Sequence, residues 1–302
     1  DASWSRGLGD VYKRQVILGD VLATAYQQSQ LKIGNYVAKS LSVGDLFMAA
    51  IVPGLILVII YGLYFIFNLR KEDIISTNDS REESFIKLIS TLAPPFFLIF
   101  AVLGSIIFGV ASPTEAAGIG ALGAIFIALL HKKLNLKILS ETTKQSAFIS
   151  SMVFLILIGA SIFSLVFRGL GGEELITDIF NKIPGGLFGS MVLVMLLVFI
   201  LGFILDFIEI TFIVVPIVGP ILMAMGADPL WLGVMLAINL QTSFLTPPFG
   251  FALFYLRSVT PEQIKTETMY QGVLPFIVIQ IFVLCLVAYF PFLATYLPKI
   301  IF

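Results

Sequence analysis

Asn239, Gln241, Thr242, Ser243 and Thr246 crowd together just ahead of Pro247 and Pro248, inside a stretch, 229–256, that carries no charge. Proline has no amide hydrogen to donate, so carbonyls one turn earlier lose their helical partners. Together with the side-chain oxygens these are hard ligands of the kind that bind small cations. The same residues have a plainer reading, in which a tip turns the chain and its hydroxyls bond back to the helix. That reading covers the prolines and Gly250 more easily than the Asn, the Gln and three hydroxyls side by side.

Two further groups stand out. In 111–118 (ASPTEAAG), Ser112 is placed to cap a helix, with Pro113 at its first position and Glu115 as the third residue of a capping box. If that helix start lies at membrane depth, its free amides and dipole face an anionic solute or an opposing hairpin. Asp206 and Glu209 are three apart and share one face of a helix. A carboxylate at the centre of a lone membrane helix costs about 2.5–3.5 kcal/mol. The pair therefore reads either as an ion-coupling or gating site on a polar cavity, or as a cap and interface feature at the start of the next helix.

The setting of these residues fixes the class. The chain has 302 residues, 58% of them hydrophobic and 12% charged, and a mean hydropathy of +1.02. Soluble domains carry roughly 25% charge. A net charge of −1, with no basic groove interleaved with aromatics, gives no support to nucleic-acid binding. One cysteine and one histidine, Cys285 and His131, exclude a disulfide framework, a thiolate or histidine metal cluster and a Ser-His-Asp triad. No enzyme chemistry and no cofactor is expected.

Apolar runs then place the elements. Residues 46–69 are uncharged and long enough to span roughly 30 Å of hydrocarbon. Residues 88–130, charged only at Glu115, hold two helices meeting near Ser112-Pro113, with Gly109 allowing a bend and Gly118, Gly120 and Gly123 allowing close packing. The connection 131–144 carries Lys132, Lys133, Lys137 and Lys144 against Glu141, which the positive-inside rule places in the cytoplasm. Two passes between 88 and 130 put 70–87, with Arg70, Lys71, Arg81 and Lys87, on the same side. Residues 145–167 cross outward, and 168–182, with three acidic and two basic residues, form a short outer amphipathic or loop element. From 206 to 256 a re-entrant hairpin and broken helices are expected. Residues 271–290 make the last span, with Pro291 and Pro298 marking its exit.

The fold class read from this pattern is an all-α polytopic membrane protein, multi-pass in the lipid bilayer. Its segments are 16–87 (a scaffold helix and cytoplasmic loop), 88–144 (a broken-helix pair and cytoplasmic linker), 145–200 (membrane helices with an outer loop), 201–256 (re-entrant hairpin and unwound helix) and 257–302 (terminal linker and helix). Residues 1–15 (DASWSRGLGDVYKRQ) match neither a signal peptide nor the apolar sequence beyond them and are set apart as a cloning or read-assembly scar.

At 109–117 (GVASPTEAA), 201–206 (LGFILD) with Pro216 and Pro220, 225–229 (MGADP) and 239–250 (NLQTSFLTPPFG), the chain resembles the large membrane subunit (DctM-like permease) of tripartite ATP-independent periplasmic (TRAP) transporters. The likeness runs over about 16–300 and looks like the C-terminal two-thirds of that subunit. It implies an inverted-repeat, elevator-type importer of the inner membrane, driven by sodium, with the N-terminal repeat largely missing here. It also implies a small membrane subunit (DctQ-like), a periplasmic solute-binding protein and an organic acid, often a carboxylate, as cargo. Family roles for sodium fit Ser112, Thr114, Asn239, Thr242, Thr246 and Pro247 best; Gln241, Ser243, Asp206 and Glu209 are left as substrate or gating residues. With half of the cavity absent, the chain alone is expected not to transport. Two competing expectations are a proton-coupled carrier using Asp206 and Glu209, and a membrane scaffold subunit with no solute site.

Overall fold

The computed structural model describes residues 4–36, 41–69, 81–247, 251–260 and 264–301. Their regular structure is entirely helical: α1 Trp4–Lys32, α2 Val43–Leu69, α3 Arg81–Ile107, α4 Pro113–Leu130, α5 Leu136–Gly169, α6 Gly172–Lys182, α7 Gly186–Leu201, α8 Phe207–Ala224, α9 Pro229–Leu245, α10 Phe251–Val259, α11 Thr266–Tyr289 and α12 Phe292–Ile301. Residues 70–80 of the basic loop, together with Pro248, Phe249 and Gly250, fall outside the described residues.

Among the described residues, α2, α4, α5, α8 and α11 are long and apolar enough to cross a membrane. A sixth span arises if α6 and α7, which meet at a bend of 118°, count as one. The charges on α6 argue against that: Glu173, Glu174, Asp178 and Lys182 suit an amphipathic surface helix, as expected for the outer element. The helix α7 is only 16 residues long. Helix starts differ from the sequence reading: α3 begins at Arg81, inside the expected loop 70–87. The helix α5 starts within the basic connection, because the Asn135 side chain accepts the Ile138 amide (2.8 Å) and caps it. The last long span ends at Tyr289, just before Pro291, and Pro298 lies inside a further short helix, α12.

The chain divides into two compact units, 63–152 and the pairing of 1–62 with 153–302. In the smaller unit α3 and α4 form an antiparallel hairpin. A Cβ on Gly120 would sit 3.3 Å from Val102, and one on Gly123 would overlap Leu98. Glycine thus sets the separation of the two helices, the usual device where lipid leaves no hydrophobic force between them. Gly118 has no neighbour within 4 Å of such a Cβ and plays no part in this contact. The turn uses Gly109 at φ +67, a conformation glycine enters without steric cost.

The larger unit is centred on α8 and α9, both of which pack against α1. Leu18, Leu22, Ala25 and Ser29 form one buried stripe of α1. Gly219 of α8 lies against Ala25, and Gly233 of α9 faces Leu22 and Leu46 so closely that a side chain there would overlap both. The Trp231 indole donates to the Val287 carbonyl (2.9 Å), joining the start of α9 to the end of α11. Contact along both helices from that point requires them to run antiparallel. An ion pair between Lys32 and Glu173 ties α1 to α6; partly exposed, it contributes at most about 1 kcal/mol.

Candidate functional site

Three helix ends meet in the larger unit. The helix α7 stops at Gly202, and the turn 202–205 closes on itself through the bonds Gly202 N–H to Val198 O (2.9 Å) and Leu205 N–H to Leu201 O (2.8 Å). Asp206 then begins α8. Its carboxylate accepts the Phe207 amide (2.7 Å) while the Glu209 carboxylate accepts the Asp206 amide (3.3 Å), a reciprocal capping box. Of the two readings of this acidic pair, the geometry displays the cap.

The cap carries its own expectation. Asp206→Asn retains an acceptor and should leave the melting temperature nearly unchanged, whereas Asp206→Ala should destabilise by about 0.5–2 kcal/mol. Thermal unfolding in detergent separates these outcomes. Equal, large losses of transport in both variants with intact melting would instead indicate a protonation role.

The third end belongs to α9. Its last two turns are seated on α7: the Asn239 side-chain amide donates to the Met195 carbonyl (2.7 Å), and Ser243 fills the space where Gly202 has no side chain. These contacts advance in the same sense along both helices, so α7 and α9 run parallel and their C-terminal ends lie together. Asn239, Thr242 and Ser243 are buried at 1%, 0% and 1% exposure. Thr246 is the C-cap and, like Pro247, half-buried, whereas Gln241 points away and is exposed.

The prolines' effect on the backbone is visible here. The Thr246 amide turns to the Ser243 carbonyl (3.1 Å) instead of continuing the helix. Hydroxyls fill in: Thr246 Oγ1 donates to Thr242 O (2.8 Å), Thr242 Oγ1 to Ile238 O (2.8 Å) and Ser243 Oγ to Leu240 O (3.0 Å). Each hydroxyl proton is thereby committed, which leaves the oxygen lone pairs as acceptors. Two helix C-termini side by side add the negative ends of two macrodipoles, each equivalent to roughly half an electron charge. The place favours a cation.

Ser112 and Thr114 lie in the smaller unit, both exposed at the start of α4. Ser112 Oγ accepts the Glu115 amide (3.4 Å), and Glu115 accepts the Ser112 amide (2.8 Å), so the capping box expected from the sequence is present. Gln280 is a buried residue that the sequence reading does not single out. It lies two turns before Val287 on the same face of α11, fully buried, with its amide beside the Tyr61 phenol. A single glutamine in the middle of the apolar run 272–290 is the signal that could have found it. No cluster of metal-ligating His, Cys, Asp or Glu occurs among the described residues.

Apolar helices broken at polar, capped ends, with side-chain oxygens buried at the breaks, define a polytopic α-helical membrane protein of the transporter class rather than an enzyme. The chain belongs to the family described as the tripartite ATP-independent periplasmic transporter DctM component, whose model matches residues 32–293, and its place is the bacterial inner membrane. It is 31% identical over 270 residues to the sialic acid TRAP transporter large permease protein SiaM of Vibrio cholerae, covering 87% of this chain and 62% of that one. It is 28% identical over 263 residues to the C4-dicarboxylate TRAP transporter large permease protein DctM of Rhodobacter capsulatus, covering 87% and 59%. The sialic acid TRAP transporter permease protein SiaT of Haemophilus influenzae is 28% identical over 264 residues, covering 86% and 42%. The chain thus spans less than two-thirds of the length of these curated relatives.

Proposed function

We propose that this chain forms the solute-translocating part of a large TRAP permease subunit that imports an organic acid, most simply a carboxylate, with sodium as the coupling ion. The observation that carries this reading is the meeting of the parallel C-terminal ends of α7 and α9 over Asn239, Thr242, Ser243 and Thr246. Half-helix C-termini and exposed carbonyls at membrane depth are the usual cradle of a coupling cation. Thr242, Thr246 and Asn239 supply the side-chain oxygens, and the Pro247 step keeps α9 from continuing. Ser112 and Thr114 belong to a second break that takes part in the same cycle. Two relatives support the cargo class: one is a sialic acid and another a C4-dicarboxylate TRAP transporter large permease protein.

In this reading α7, α8 and the broken α9–α10 pair form the hairpin and unwound helix of a moving transport domain. The fold is an inverted repeat whose other half is supplied outside this chain, and the mechanism is an elevator. A DctQ-like small membrane subunit braces the scaffold, and a periplasmic binding protein delivers the solute. The test is uptake by proteoliposomes containing the full-length subunit, its small subunit and its binding protein. Labelled C4-dicarboxylates or sialic acid should accumulate only with an inward sodium gradient. The chain by itself should give no such uptake. Accumulation that follows a proton gradient and ignores sodium would overturn the reading.

A further inference from the structure

The turn between α4 and α5 has a feature that transport does not use. Lys132 is the only described non-glycine residue in the left-handed region, at φ 53. The position closes α4: the Lys132 amide bonds to Leu129 O (2.9 Å) and the Lys133 amide to Ala128 O (3.0 Å). This is the site where a helix normally takes glycine, because a Cβ there is strained. A lysine held at that cost points to a use for its side chain. His131 and Lys133 flank it, Lys137 follows at the start of α5 with Lys144 on the same face of that helix, and Glu141 is the acidic residue among them. All are exposed. So are the leucines that flank them, Leu130 at 65% and Leu136 at 85%.

Lysines ringed by exposed leucines at the end of a membrane-spanning helix match the headgroup boundary of a bilayer. Leucines enter the acyl region, and ammonium groups meet lipid phosphates. We infer that the α4–α5 turn is a docking surface for anionic phospholipid headgroups of the cytoplasmic leaflet, with Lys132, Lys133 and Lys137 as the phosphate-binding groups. Charge complementarity names the occupant, since that leaflet carries the negative surface potential and attracts juxtamembrane basic clusters.

The experiment uses the full chain in nanodiscs of phosphatidylcholine, with or without about one-third phosphatidylglycerol, and reads thermal unfolding and co-purified lipid. Wild type should melt higher with phosphatidylglycerol, and the gain should shrink in high salt. A variant combining Lys132→Gly, Lys133→Gln and Lys137→Gln should lose most of that gain and several-fold of its retained phosphatidylglycerol. In phosphatidylcholine alone it should melt no lower than wild type, since glycine relieves the strained backbone. Lys182→Gln with Lys265→Gln, basic residues elsewhere, should keep the wild-type gain. An undiminished gain in the triple variant would overturn the proposal. So would an equal loss in the control, or the same stabilisation by inorganic phosphate or by an acidic soluble protein without lipid.

Discussion

Gly202→Val is expected to abolish sodium-dependent uptake by the assembled transporter and to lower its melting temperature. The backbone at Gly202 has φ −65 and ψ −8, which any residue adopts, so the requirement for glycine is one of space alone. A Cβ built there would overlap the Ser243 side chain and approach the Val198 carbonyl at 3.3 Å. Overpacking a filled interior costs about 1–3 kcal/mol, roughly five- to 150-fold in the population of the seated arrangement. Valine adds two methyl groups beyond that first carbon. The consequence falls on the site, because the displaced partner is Ser243 in the turn that ends α9. The paired change Gly202→Ala with Ser243→Gly should recover melting, as the added methyl takes the vacated volume. Uptake measured in that double variant then isolates the Ser243 hydroxyl. If Gly202→Val melts and transports as wild type, α9 does not rest on α7 as described.

How far the sequence discloses this arrangement depends on the range of each interaction. Capping boxes are local: Ser112 with Glu115 and Asp206 with Glu209 each need only three residues of separation, so both caps are readable. The acidic pair stays ambiguous in sequence because a shared helical face suits a proton site as well as a cap. The start of the helix at Phe207 is what makes the cap visible. The breaks at 108–112 and after Thr246 arise from glycine and proline chemistry alone.

Contacts between helices are different. Nothing in the one-dimensional pattern pairs Asn239 with the Met195 carbonyl, 44 residues away, or sets Ser243 over Gly202. The helix α1 escapes a sequence reading for another reason. Gln27, Gln28 and Gln30 lower its average hydropathy, while its buried face, Leu18, Leu22, Ala25 and Ser29, keeps a regular helical spacing that the average conceals. Polar composition hides a helix whose one apolar stripe meets α8 and α9.

Replacing both Thr242 and Thr246 with valine is expected to weaken sodium dependence far more than it weakens the fold. Each hydroxyl donates to a main-chain carbonyl at 2.8 Å, and a neutral bond of that kind contributes about 1 kcal/mol. Valine keeps the branched shape, and the Ile238 carbonyl keeps its helical surroundings, so melting should fall only slightly. A cation resting on those oxygens makes charge-assisted contacts of about 1.5–3 kcal/mol each, so losing even one should raise the sodium concentration for half-maximal uptake roughly ten- to 150-fold. The serine versions, Thr242→Ser and Thr246→Ser, restore the oxygen without the methyl and should bring most of the sodium affinity back. Measuring uptake against sodium concentration at fixed solute, beside melting curves for the same proteins, keeps the two effects apart. Were the valine protein to keep its sodium dependence, the hydroxyls would be structural, bonding back to α9 only to close the helix ahead of Pro247.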